Sequence, residues 1–171
     1  MKIPKILPIA CSLLALGLFV HAEPLQVGAP APEVGSTDQE GNVVNLKEVF
    51  TKGPTLVYFY PKADTPGCTK EGCSLRDNWK ALKDKGIQVI GVSEDTVAEQ
   101  KAFHDKYTFP FPLLADHDGK VAAAFGVPLG NGHAKRQSFL IKDGKIVWNM
   151  LAASTDKQAA DVLKAYDELG K

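Results

Sequence analysis

Apolar and polar positions along the chain fall into several distinct periods. Two uninterrupted apolar runs, Thr55 to Tyr60 and Ile87 to Ser93, are rich in β-branched and aromatic residues and show no polar alternation. That pattern suits strands covered on both faces, hence central parallel strands. Between them Cys68, Leu75, Trp79 and Leu82 stand at i, i+7, i+11 and i+14, with Gly86 following. This spacing predicts one helix from about Cys68 to Lys85, closed by the glycine, and the three segments form a strand–helix–strand unit.

Further along, a helix is expected over Thr96 to Tyr107 and a short one over Lys120 to Phe125, separated by the Pro-rich stretch Phe109 to Pro112. Gln137 to Ile141 and Lys145 to Met150 flank Lys142-Asp143-Gly144, a hairpin signal that makes these two strands antiparallel. A last helix over Asp156 to Leu169 carries Ala159, Val162, Leu163 and Tyr166 at i, i+3, i+4 and i+7. Ahead of all these, the turn residues Asp38 to Asn42 divide two short segments that suit an N-terminal hairpin ending in Val43-Val44. No repeat, linker or low-complexity tract interrupts the pattern. The order βαβ, helix, ββα is that of an α/β domain with a thioredoxin-like fold, a central mixed sheet with helices on both faces.

Composition changes this picture only at the N-terminus. The 171 residues are 44% apolar and 23% charged, the profile of a single globular domain. In residues 1–22, however, Lys2 and Lys5 lead into an apolar run from Ile6 to Val20, and Val20-His21-Ala22 precedes polar sequence. That is the layout of a cleavable secretory signal, with cleavage expected after Ala22 and a mature domain over 23–171. The run is 15 residues long, short of the roughly 20 that span a bilayer core, so an uncleaved anchor is the weaker alternative. Cys11 falls within the discarded segment, and the expected location is exported, in the periplasm. Without Lys2 and Lys5 the domain carries 18 basic and 20 acidic residues. That balance argues against a nucleic-acid partner or stable membrane association.

The mature domain then holds two cysteines, Cys68 and Cys73. The stretch Tyr58 to Cys73 runs from the end of a buried strand into a helix, where open sheets place their sites. Thr65 suits a helix cap and Pro66 the first helical position. Cys68 then falls in the first turn, where unpaired N–H groups and the positive dipole end favour an anion. The thiolate is the nucleophilic form of cysteine, and a helix N-terminus beside a cation promotes it. A structural disulfide is the alternative in an oxidising compartment. Five residues on a regular helix separate two Cα atoms by roughly 8 to 9 Å, beyond the reach of about 7 Å that a disulfide allows. The bond therefore needs the first helical turn to unwind, which suits a reaction cycle better than a staple. Cys68 shares its helix face with Leu75 and Trp79 while Cys73 lies about 140° away, so one sulfur is sheltered and the other accessible.

Tyr60-Pro61-Lys62 through Thr65-Pro66-Gly67-Cys68-Thr69 resembles the peroxiredoxin signature, and Cys73 five residues later resembles the peroxiredoxin Q or bacterioferritin-comigratory-protein subfamily. Arg136, just before Gln137 to Ile141, is similar to the family's arginine beside the cysteine. The resemblance covers nearly the whole mature chain. It implies that Cys68 is the peroxidatic nucleophile, Cys73 the resolving thiol, Thr65 a hydroxyl contact to the peroxide, Pro61 a shield and Arg136 the cation beside the thiolate. The chemistry agrees, because peroxide attack needs an anionic sulfur and a leaving oxygen that N–H groups, Thr65 and Arg136 can stabilise. The implied reaction reduces hydrogen peroxide or organic hydroperoxides through a sulfenic acid and a Cys68–Cys73 disulfide. Thioredoxin or an exported thioredoxin-like dithiol would recycle it, with no cofactor and a monomeric protein expected.

Plainer readings stand beside these: Thr65 only capping a helix, Arg136 in a surface ion pair, Pro61 ending a strand. Asp64 receives no catalytic task. A disulfide oxidoreductase shares the fold but uses Cys-x-x-Cys, which does not occur here, and a non-catalytic extracytoplasmic redox sensor is the other alternative. His104, His117 and His133 show no metal-ligand spacing with the cysteines. Asp116-His117-Asp118-Gly119 resembles part of a calcium loop without its later ligands and reads as a turn.

Overall fold

The computed structural model describes residues 23–170; the expected signal segment lies outside them. Among the described residues no helix is long and apolar enough to cross a membrane. The chain forms β1 (Gly35–Asp38), β2 (Val43–Asn45), α1 (Leu46–Phe50), β3 (Thr55–Phe59), α2 (Pro66–Asp77), α3 (Trp79–Asp84), β4 (Gln88–Ser93) and α4 (Val97–Tyr107). There follow β5 (Leu113–Ala115), α5 (Lys120–Phe125), β6 (Leu129–Gly130), β7 (His133–Ala134), β8 (Gln137–Lys142), β9 (Lys145–Met150) and α6 (Gln158–Glu168).

A seven-stranded sheet runs in the order β2-β1-β5-β4-β3-β8-β9. The apolar runs behave as their composition demands: β3 is buried at every position and pairs parallel to β4, with Val57 opposite Ile90. β8 pairs antiparallel to β3, with Gln137 opposite Phe59, and β9 folds back on β8 through the Asp143-Gly144 turn, both residues of which take positive φ. Residues 25–31 run along the outer edge of β9, where Gly28 N donates to Ile146 O at 2.8 Å and Ala31 N to Gly144 O at 2.9 Å, covering an edge that would otherwise be open to pairing.

Two apolar clusters fill the two sides of this sheet. One joins Leu46 and Phe50 of α1 and Val121, Ala122 and Phe125 of α5 to Val57, Phe59, Ile90 and Phe139. The other joins Cys68 and Leu75 of α2, Leu82 of α3, Phe103 of α4 and Val162 of α6 to Leu56, Tyr58, Val89 and Leu140. Alternate residues of β3 thus point to opposite layers, each large side chain contributing about 1.5–3 kcal/mol of burial. This is the thioredoxin-like α/β arrangement, with helices on both faces.

One expectation needs correction, and one strand joins the pattern. The helix read as Cys68 to Lys85 starts at Pro66 and is broken in two at Asn78, whose φ of −103° and ψ of 13° leave the helical region. Asn78 Nδ2 donates to Ser74 O at 2.9 Å, the local side-chain competition with the backbone that makes asparagine a poor helix interior. The Pro-rich stretch after α4 leads into β5, a three-residue parallel strand beside β4, too short to show a period of its own.

Candidate active site

The carboxyl end of β3 delivers Tyr60 and the loop Pro61 to Thr65 into α2. Because β8 lies antiparallel beside β3, its beginning meets the same end of the sheet. Residues 68 positions apart in sequence therefore converge: Arg136 Nη2 donates to Cys68 Sγ at 3.3 Å. Cys68 is 2% exposed and occupies the third position of α2, where the first-turn N–H groups receive no side-chain cap. Gly67 leaves Arg136 its approach, since a Cβ there would lie 3.3 Å from Nη2.

The second partner of Arg136 was not singled out in the sequence. Glu71, completely buried, accepts a hydrogen bond from Arg136 Nη1 through Oε2. Its signal was present in the helical period: Glu71 stands three residues after Cys68 and four before Leu75, on the buried stripe itself. A carboxylate on that stripe calls for a cation. Burial pushes the Glu71 carboxyl up to about 8 against the opposing pull of Arg136. Burial also works against the Arg136 charge, but Glu71 and the Cys68 sulfur outweigh it and hold the guanidinium charged, above its ordinary value.

The loop before α2 is tied at two points. Ala63 N donates to Asp95 Oδ2 at 2.7 Å, and Ser93 Oγ donates to the same oxygen at 2.6 Å. Gln100 Nε2 donates to Ser93 Oγ and to Leu114 O, and Tyr60 OH bonds Gln100 Oε1, so a buried polar chain from α4 to β3 underlies the loop. Asp64 takes the left-handed conformation at φ 56° and is gripped by Lys106 Nζ at 2.7 Å and Tyr107 OH at 2.8 Å. The hydrogen bonds from Lys106 and Tyr107 hold its carboxyl below the ordinary value.

Thr65 sits at the cap position of α2 with extended φ and ψ, but its side chain makes no cap bond. Its Oγ1 donates instead to Lys62 O at 2.9 Å, so Thr65 holds the expected cap position without making the side-chain cap bond. Pro61 and Arg136 line one open cleft of about 510 Å³ together with His133, Ala134 and Leu151. Cys73 is half-buried and, like Cys68, unbridged; desolvation pushes its thiol up, with Asp77 adding to the effect and Arg76 opposing it. The helix carrying both cysteines is continuous from Pro66 to Asp77. The structure thus brings Cys68 and Arg136 into contact, sets Pro61 beside Arg136, and leaves Cys73 one and a half turns away on another face.

Elsewhere, the Asp116 carboxylate accepts from Val121 N at 2.9 Å and Ala122 N at 2.8 Å, so the calcium-loop-like stretch closes the start of α5. Among the described residues Glu40, His104 and Asp105 bring potential ligand atoms within 4.8 Å of one another. Lys101 Nζ already pairs with Glu40 at 2.9 Å and Asp105 at 3.0 Å there.

A thioredoxin-like sheet with a buried cysteine at a helix start beside an arginine defines a class of redox-thiol proteins. The chain belongs to the AhpC/TSA family, whose model matches residues 27–149. It is 46% identical over 101 residues to peroxiredoxin Q, chloroplastic, of Oryza sativa subsp. japonica, covering 59% of this chain and 46% of the relative. This chain thus spans about half the length of the rice proteins it matches. Among solved structures it is similar to peroxidoxin BcpB from Mycobacterium tuberculosis, with 34% identity, a TM-score of 0.81, and coverage of 85% of this chain and 98% of the other. It is also similar to the Xanthomonas campestris bacterioferritin comigratory protein, whose structure concerns alkyl peroxide reduction, with 26% identity, a TM-score of 0.78, and coverage of 85% and 100%.

Proposed function

We propose that this protein is a thiol-dependent peroxidase of the peroxiredoxin Q type, with Cys68 as nucleophile and Cys73 as resolving thiol. The observation that carries the reading is the Arg136 Nη2 to Cys68 Sγ contact of 3.3 Å at the uncapped start of α2. A sulfur there faces a fixed guanidinium and backbone donors in a water-poor pocket, the electrostatic setting that stabilises charge developing in a transition state.

In the first step the Cys68 sulfur attacks the terminal peroxide oxygen. An S–O bond forms and the O–O bond breaks; sulfur is oxidised, and the departing alkoxide leaves as water or alcohol with the proton the thiol gave up. Arg136 steadies both the attacking sulfur and the negative charge on the oxygens. Pro61 shields the pocket, and the Thr65 hydroxyl contacts the peroxide. In the second step the Cys73 sulfur attacks the Cys68 sulfenic acid, forming S–S, breaking S–O and releasing water. An external dithiol of the thioredoxin kind then reduces the disulfide and is itself oxidised. Export to the periplasm, read from residues 1–22, makes that dithiol an exported one, and the protein acts as a monomer.

The similarity to peroxiredoxin Q and to an alkyl-peroxide-reducing protein supports this reading over a redox sensor, which would not turn over. The test mixes reduced protein with one equivalent of hydrogen peroxide and follows thiols and intact mass. Loss of both thiols and of two mass units is expected. Cys68→Ser should consume no peroxide, and Cys73→Ser should stop at the sulfenic acid; turnover in Cys68→Ser would refute the assignment.

A further inference from the structure

Four residues separate the two cysteines, and the buried ones are Glu71 and Gly72. They are fastened to different parts of the fold. Glu71 is bonded to Arg136 at the start of β8. Gly72 lies flush against Phe109, just after α4: a Cβ at Gly72 would come within 2.7 Å of Phe109 Cζ. Phe109 is itself immobilised, 3% exposed and with its ring centroid 4.9 Å from Phe103 and 5.4 Å from Phe111. Beyond Cys73, Arg76 Nη1 donates to Tyr107 O at 2.8 Å, tying the next turn of α2 to the same segment.

On a continuous helix Cys68 and Cys73 are too far apart to bond, so the residues between them must unwind. That motion pulls Glu71 off Arg136 and Gly72 off Phe109 together. We infer that Glu71 and Phe109 are positioning residues for the resolving step, which hold the Cys68–Cys73 segment wound and so set how long the oxidised Cys68 sulfur waits for Cys73. The inference rests on the peroxidase reading above.

The two fastenings differ in kind. A buried carboxyl group is costly to keep from water, so its release is partly repaid by solvation. The packing of Gly72 on the Phe109 ring has no such compensation and is lost outright. Phe109 is therefore the stronger latch. A longer wait also exposes the sulfenic acid to a second peroxide, which oxidises it to sulfinic acid and leaves as water or alcohol.

The experiment compares wild type, Phe109→Leu and Glu71→Gln by rapid quench after a peroxide pulse, timing the first oxidation, disulfide formation and the sulfinic product by mass. In Phe109→Leu the first oxidation should be unchanged and disulfide formation roughly two- to ten-fold faster, the range of an aromatic contact, with less sulfinic product in excess peroxide. Glu71→Gln should slow the first step, by loosening Arg136, yet speed the second; a merely structural role would not split the two steps. Disulfide formation at the wild-type rate or slower in both variants, once Cys68 has been oxidised, overturns the inference. Should Phe109→Leu not fold, the split in Glu71→Gln decides alone. Failure of wild-type Cys68 to react at all would instead overturn the peroxidase reading.

Discussion

Two helices of this protein begin on a threonine and use it in opposite ways. At α4, Thr96 Oγ1 accepts from Glu99 N at 3.3 Å while the Glu99 carboxylate accepts from Thr96 N at 2.9 Å, a reciprocal capping box. At α2, Thr65 has a similar extended backbone, but its hydroxyl donates back to Lys62 O. The decisive difference stands three residues on. Where α4 places Glu99, which returns to close the helix start, α2 places Cys68, whose sulfur faces Arg136. A helix start satisfied by its own sequence is a structural joint; one left open retains donors and dipole for a charge that chemistry brings.

That contrast can be broken in order of expected effect. Replacing Arg136 with Gln should slow the first oxidation about 10²- to 10³-fold, the usual loss for one donor at a developing charge, as read by stopped-flow; a change of only a few fold would mean that the open helix start suffices without the cation. Thr65→Val keeps the branched shape and removes the hydroxyl. It should slow peroxide oxidation about ten-fold, the worth of one ordinary hydrogen bond, with little loss of stability, because the one bond it breaks, to Lys62 O, is exposed and is not a cap. Thr96→Val should do the reverse, costing about 1 kcal/mol of stability in denaturant unfolding and leaving the oxidation rate alone. Equal destabilisation by the two threonine variants would remove the distinction between the helix starts.

A separate effect, on stability alone, concerns pH. Burial raises the Glu71 carboxyl to about 8 in the folded protein, above the ordinary carboxylate value of about 4.3. The folded state therefore holds this proton more tightly than the unfolded chain. Its contribution to stability is fully present below the ordinary carboxylate range and is lost as pH rises through about 8. Unfolding midpoints across that window should fall less steeply with pH in Glu71→Gln than in wild type; identical slopes would show that Glu71 is not the group responsible.

Much of the fold was legible in local pattern. The unbroken apolar runs of β3 and β4, the Asp143-Gly144 hairpin and the stripe of α6 each carry their own period, so their type follows without knowledge of neighbours. The break at Asn78 was hidden because Cys68, Leu75, Trp79 and Leu82 keep one apolar stripe across it; periodicity reports which face is buried, and an asparagine side chain decides whether the backbone stays helical. β5 and the two-residue strands β6 and β7 exist through pairing, and too few residues take part to leave a trace in sequence. Within the site, Cys68 at a helix start was readable from Thr65-Pro66, whereas Glu71 was not singled out although it stands on the same buried stripe.

By itself, then, the amino-acid order determined where strands and helices form, which cysteine is sheltered, and that the two cannot bond on an intact helix, since all of these depend on contacts within a few residues. Only the tertiary structure decided that Arg136 meets Cys68, that Glu71 lies buried against Arg136, and that Phe109 closes on Gly72. These contacts depend on β8 running antiparallel beside β3 and on the chain after α4 folding back over α2. Such long-range pairings are chosen by the burial of the whole sheet, and no local period records them.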